Sequence, residues 1–284
     1  MGIYDRLRKA ADSSLAEALD QAVVIRVQQV ADYYYRDVST QDAYNKMIHV
    51  VTPPFNLTWM EFSAPETYHV LDRIIAWPKD AYRGVGILLW DVHETSTIIA
   101  DVFLDFPHIA MYNTPIPFIP VTVRFQTDNQ GIPQINSDGS VFSTFVSTEA
   151  YMNDELQKLI AWCMAIICDV MTLALTFLNT RNVVLEEIQP QKKVDRKKKK
   201  ILSPEHSFKI IRITPMRSRK RYASSTEQED QRAWHKVRGH FKTYTEEHKL
   251  FGRWTGTYWW MDTERGTMDA GEIQHEYEVD LTDV

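Results

Sequence analysis

The stretch from Leu159 to Leu178 is apolar throughout except for Asp169, Thr172 and Thr176. A run of that length suits either a helix across a bilayer or a helix wrapped by the rest of its own domain. Asp169 falls near the middle, where a carboxylate is costly in hydrocarbon, and the two threonines weaken a lipid-facing reading further. The sequence therefore predicts a core helix from Glu149 to Asn179, capped by Thr148, against which the remaining chain must pack. Cys163 and Cys168, the only two cysteines, lie inside it. Five residues apart on a helix they point to different faces, so they read as buried small hydrophobes rather than half of a metal site or a disulfide. With no disulfide framework, a reducing cytoplasm is the expected compartment.

What surrounds that helix reads as α+β. Leu15, Ala18, Leu19, Ala22, Val23, Val27 and Val30 keep a three-four spacing, which predicts helix over the first 37 residues. Ser14 with Glu17 reads as a capping box, so a break is expected near Asp12 to Ser14. The first twenty residues mix charges and lack the continuous apolar core of a signal peptide. A short helix from Gln41 to Val50 must stop at Pro53-Pro54. Strands follow. They are expected at Leu57 to Phe62 after the double proline, at Gly84 to Val92 and Thr97 to Phe103, which are rich in Ile, Val and Leu, and at Phe118 to Gln126 and Val141 to Val146. Turn signals separate them at His93-Glu94-Thr95, Asp128 to Gly131 and Asn136 to Gly139. These elements predict an antiparallel sheet of four to six strands packed on the long helix.

Beyond Pro190 the composition changes. From Gln191 to Tyr222 there are thirteen lysines and arginines against Asp195 and Glu205, although the whole chain carries a net charge of −6. From Met261 onward eight acids face Arg265 alone. The organisation read from these shifts is an α+β domain over 1–190 and a basic linker with one strand, Ser207 to Ile213, over 191–232. A small aromatic-rich β module follows over 233–266, then an acidic tail over 267–284. Met216 to Asp230, polar and without apolar period, reads as a flexible connection.

Within the module stands His235-Lys236-Val237-Arg238-Gly239-His240, followed by Phe241-Lys242-Thr243-Tyr244 and, after a gap, Leu250-Phe251-Gly252-Arg253 and Gly256-Thr257-Tyr258-Trp259-Trp260. This arrangement resembles a family of phage- and plasmid-encoded proteins that end in an H-x-x-R-G-H-[WF]-[RK] module and include a type V-A anti-CRISPR protein. Pro53-Pro54-Phe55 to Trp59-Met60-Glu61-Phe62 is similar to the family's N-terminal proline-to-Trp-x-Glu stretch. The apolar helix around Trp162-Cys163 and the basic linker also come in the family's order. The resemblance implies recognition of a nascent polypeptide on the ribosome and suppressed production of a target protein, in the cytoplasm of the host. His235, Arg238, Gly239 and His240 match the family motif. Phe241-Lys242 stands where many relatives have Trp-Arg, so a contact that needs a planar guanidinium there is not carried over.

Three chemistries fit the residues. The first is RNA binding. Lys197, Lys198, Lys199, Lys200, Arg217, Arg219, Lys220, Arg221 and Lys242 would meet phosphates, and Trp234, Phe241, Tyr244 and Trp254 would stack bases. About half of the module's rings are expected in its own core, because so small a unit has little else to fill it. The second is RNA cleavage, with His235 and His240 exchanging protons and Arg238 stabilising the charged phosphorane. On one continuous strand those two histidines would lie on opposite faces unless Gly239 makes a bulge. The third is a metal held by His235, His240 and His248, with His275 and an Asp or Glu as further ligands, whose spacing matches no dense ligand pattern. Binding is the preferred reading, without cofactor, metal or membrane partner; the sequence does not specify an oligomeric state.

Overall fold

The computed structural model describes residues 2–37, 49–70, 73–79, 81–92, 96–106, 118–134, 143–146, 154–189, 194–195, 200–201, 207–213, 233–237, 239–261, 263–265 and 267–272. The chain forms two compact units, Met1–Arg212 and Ile213–Val284. The expected helix 41–50, the turns at 93–95 and 136–139, the Thr148 cap and the connection 216–230 lie outside the described residues, apart from His49 and Val50.

The N-terminal unit is α+β. It opens with two short helices, α1 (Ile3–Ala10) and α2 (Ser13–Gln21), then a strand β1 (Val23–Arg26) and a third helix α3 (Gln28–Asp37). The strand corrects the expectation of helix throughout this region. Ala22, Val23, Val27 and Val30 satisfy helical spacing, but Val23-Val24-Ile25 is also a β-branched run, and such side chains lose little freedom when extended. The cap is corrected too. The Asp12 carboxylate accepts the backbone N–H of Leu15 at 2.8 Å and caps α2, two residues before the expected Ser14.

The strands β2 (Leu57–Ser63), β5 (Gly84–Val92), β6 (Thr97–Asp105), β7 (Ile119–Gln126) and β8 (Ser143–Val146) run antiparallel in that order, as expected from the apolar segments and the turn signals between them. Between β2 and β5 lies a separate hairpin, β3 (Thr67–Val70) with β4 (Arg73–Ala76). The main sheet continues past β2 through β1, β12 (Phe208–Ile213) and β9 (Val183–Ile188), giving eight strands. β1 is parallel to both its neighbours, so the sheet is mixed rather than purely antiparallel. β12 belongs to this sheet, although its residues fall in the stretch read as linker. Of that stretch, Val194–Asp195 (β10) and Lys200–Ile201 (β11) pair as a two-residue ladder.

Both faces of the central strands are covered, since Trp59 and Met60, consecutive on β2, are equally inaccessible. On one face Ile3, Tyr4 and Leu7 of α1 and Ala18 and Leu19 of α2 pack on Val24, Trp59, Leu88 and Phe103. The Tyr4 hydroxyl donates to the carbonyl of Leu19 at 2.9 Å, and its ring meets Trp59 edge-on. Gly86 is required by that tryptophan, because a methyl group there would lie 2.3 Å from the indole. Each large side chain removed from water here contributes about 1.5–3 kcal/mol.

α3 and the long helix α4 (Asp154–Leu178) cover the other face. Cys163, Ile167, Met171, Ala174 and Leu175 are buried, as the core-helix reading requires. Thr172 and Thr176 are buried with their hydroxyls bonded to the carbonyls of Cys168 and Thr172. The Tyr34 hydroxyl donates to Asp169 at 2.8 Å, and Trp77 meets both Tyr35 and Trp162, tying α3 to α4. By length and composition α4 could cross a membrane, but 67% of its most apolar window is buried within the fold.

Candidate nucleic-acid interface

Among its described residues the C-terminal unit has five further strands. β13 (Ala233–Val237) pairs with β16 (Thr263–Arg265) antiparallel and with β17 (Thr267–Glu272) parallel. β14 (His240–Tyr244) pairs with β15 (Gly256–Trp260) in a separate two-stranded ladder. β17 lies in the stretch read as acidic tail, so the structured part of the unit reaches at least Glu272.

The motif does not form one continuous strand. His235 lies in β13 opposite Arg265, while His240 begins β14 opposite Trp260. Gly239, between them, is buried, and a methyl group on it would stand 2.6 Å from the Trp259 ring and 3.3 Å from the Trp260 carbonyl. The motif's glycine therefore serves close packing of β14 on its own tryptophan. Arg238 lies outside the described residues, as do Lys197, Lys198, Lys199, Arg217, Arg219, Lys220 and Arg221. Lys200 is placed only as a backbone position in β11, and Trp234 likewise in β13, opposite Glu272.

The β14–β15 register sorts the remaining candidates onto two faces. Phe241 and Trp259 face each other across the ladder with centroids 4.6 Å apart; Trp259 is buried and Phe241 partly so. That contact half-buries Phe241 and leaves only part of its ring as a stacking surface. The alternate positions His240, Lys242 and Tyr244 share the opposite face with Tyr258 and Trp260. His240 and Lys242 are exposed, the Lys242 ammonium lies 5.2 Å from the Tyr244 ring centre, and Tyr244 meets Tyr258 edge-on. That face combines one cation with π surfaces.

The link between β14 and β15 ends in a tight turn. The amide of Leu250 donates to the Trp254 carbonyl at 2.8 Å and that of Arg253 to the Leu250 carbonyl at 3.1 Å. Phe251 and Gly252 at its apex both have positive φ, 52° and 72°. Glycine takes that conformation without strain, whereas a side chain there costs about 1–2 kcal/mol. Phe251 is nevertheless 66% exposed, and Trp254, at right angles to it 6.1 Å away, is 51% exposed. Arg253 lies between them in sequence, is exposed, and forms no ion pair among the described residues. Trp254 was readable in the sequence as a candidate; Phe251 and Arg253 were not singled out. The pattern that marks them is Phe-Gly followed by Arg-Trp between two strand-like runs, which forces a turn to carry an aromatic side chain outward.

Among the described residues no group of three or more His, Cys, Asp and Glu could hold a metal ion. Burial pushes the Cys163 thiol up to about 12 and that of Cys168 higher still, so neither is a nucleophile at neutral pH. No family model, curated protein or solved structure matches the chain.

Proposed function

We propose that the C-terminal unit binds single-stranded RNA through the Phe251–Arg253–Trp254 turn and the adjoining face of His240, Lys242, Tyr244 and Tyr258. The observation that carries this reading is an exposed aromatic pair, Phe251 at a positive-φ position and Trp254 edge-on to it, with Arg253 between them in sequence. A side chain held outward at such cost has no packing reason to be there, and bases stack on such rings whatever their identity. Arg217, Arg219, Lys220 and Arg221, ahead of β13 in sequence, supply further phosphate-binding charge. From the resemblance of the motif we infer the wider role. The N-terminal unit recognises a polypeptide, and the protein acts in the cytoplasm as a phage-type factor that lowers production of a chosen protein.

Fluorescence anisotropy of a labelled single-stranded RNA against the full chain tests the binding step. Each of Phe251→Ala and Trp254→Ala is expected to weaken binding roughly five- to hundredfold, the equivalent of about 1–3 kcal/mol of stacking. Affinity should also fall steeply with added salt. Unchanged affinity in the double variant would remove the turn from the interface.

A further inference from the structure

The N-terminal unit carries a groove of about 480 Å³ at the carboxyl ends of β1 and β2, bordered by the first residues of α1 and by the ends of β5 and β6. In sheets with parallel strands the space beyond their carboxyl ends is where ligands are commonly held, because loops and helix starts converge there. Three arginines line this groove, Arg6, Arg26 and Arg83, against two carboxylates, Glu61 and Asp105.

The carboxylates lie behind the guanidinium groups. Asp105 accepts from Arg6 at 2.7 Å, and its side chain is 15% exposed against 37% for the arginine. Glu61 accepts from Arg26 at 3.2 Å, with 12% against 38%, and also takes the backbone N–H of Tyr4 at 3.3 Å. Both carboxylates are thus committed inward. Both guanidinium groups are held in place by aromatic rings as well, Arg6 over Phe118 at 5.0 Å and Arg26 over Phe208 at 3.6 Å. The Nε of Arg6 is buried and makes no hydrogen bond. Arg83 is exposed, and no carboxylate pairs with it among the described residues. The groove therefore presents one positive charge in excess, that of the exposed Arg83, beside two guanidinium groups seated on aromatic rings, and planar donors of this kind suit an oxyanion.

We propose that this groove is a binding site for the phosphate or carboxylate group of a small anionic ligand, with Arg83 supplying the charge that the ion pairs leave unanswered. The site is independent of the RNA interface and lies wholly within the N-terminal unit.

Thermal denaturation of the full chain at constant ionic strength tests it, with inorganic phosphate or succinate replacing chloride. One or both anions should raise the midpoint saturably, by roughly 3 °C at about ten times the dissociation constant. Arg83→Gln, a change at an exposed position, should keep the midpoint in chloride and lose the rise. A rise with phosphate alone identifies a phosphate site, and one with succinate a carboxylate site. No rise with either anion overturns the proposal, and so does an equal rise in Arg83→Gln, which would place the anion elsewhere on the chain.

Discussion

Asp169 projects from an otherwise apolar stretch of α4, and burial raises its carboxyl to about 6 while the hydrogen bond from Tyr34 opposes the rise. The folded state therefore holds this proton more tightly than the unfolded chain, whose carboxyl titrates near the ordinary value of 3.8. The resulting stability is fully present below pH 4 and is lost as pH rises through about 6. A shift of this size corresponds to about 2–3 kcal/mol. Asp169→Asn keeps an acceptor for Tyr34 and removes the ionisation. Its stability relative to the parent, measured by urea denaturation, should grow from near zero at pH 4 to about 2–3 kcal/mol at pH 7. A difference that does not change with pH would mean that the carboxylate is solvated in the native protein. The same residue also made the core-helix reading possible, since one acid in a span of that length argues against lipid.

Among the elements, the β14–β15 pair carries the sharpest conflict between local preference and observed conformation. A turn with two positive-φ residues favours Asn-Gly, yet this chain has Phe-Gly. Phe251→Asn should raise the stability of the C-terminal unit by about 1 kcal/mol while weakening RNA binding as Phe251→Ala does. A thermal melt and a binding titration on one variant read both effects, and a loss of stability would show that the phenyl ring is a packing element. Elements without such conflict were legible beforehand. β5 and β6 are short apolar runs rich in Val, Ile and Leu on either side of a short polar connection, and they pair with each other. β1 was hidden because Val23 to Val30 satisfies helical and extended periods alike, and only its place between β2 and β12 decides between them. β3 and β4 escaped notice because Thr67 to Ala76 has Asp72 as its single turn-favouring residue and no glycine, proline or asparagine. In the candidate interface the exposure of Trp254 and the half-burial of Phe241 against Trp259 were not legible, since a ring's identity does not tell which face of a two-stranded ladder it occupies.

At the scale of the whole molecule, the break in composition at Pro190 is not the break in structure. β12 lies beyond it, yet pairs with β1 inside the N-terminal sheet, and Lys209 and Arg212 on β12 pair with Glu187 and Glu186 on β9. A chain ending at Ile213 should therefore melt cooperatively by circular dichroism. One ending at Pro190 leaves β1 unpaired on one side and separates β9 from the sheet, and should fail to do so. Cooperative melting of the shorter chain would show that β12 is dispensable. The sequence by itself determined a long buried helix, a run of antiparallel strands and a compact aromatic end, because each is written in neighbouring residues through hydrophobic period, β-branching and turn chemistry. Only the tertiary structure decided that β1 is a strand, that two segments distant in sequence flank it in parallel, and that Phe251 and Trp254 stand outward while Trp259 is enclosed. Those outcomes depend on which surfaces meet across long sequence separations, and local periodicity carries no record of them.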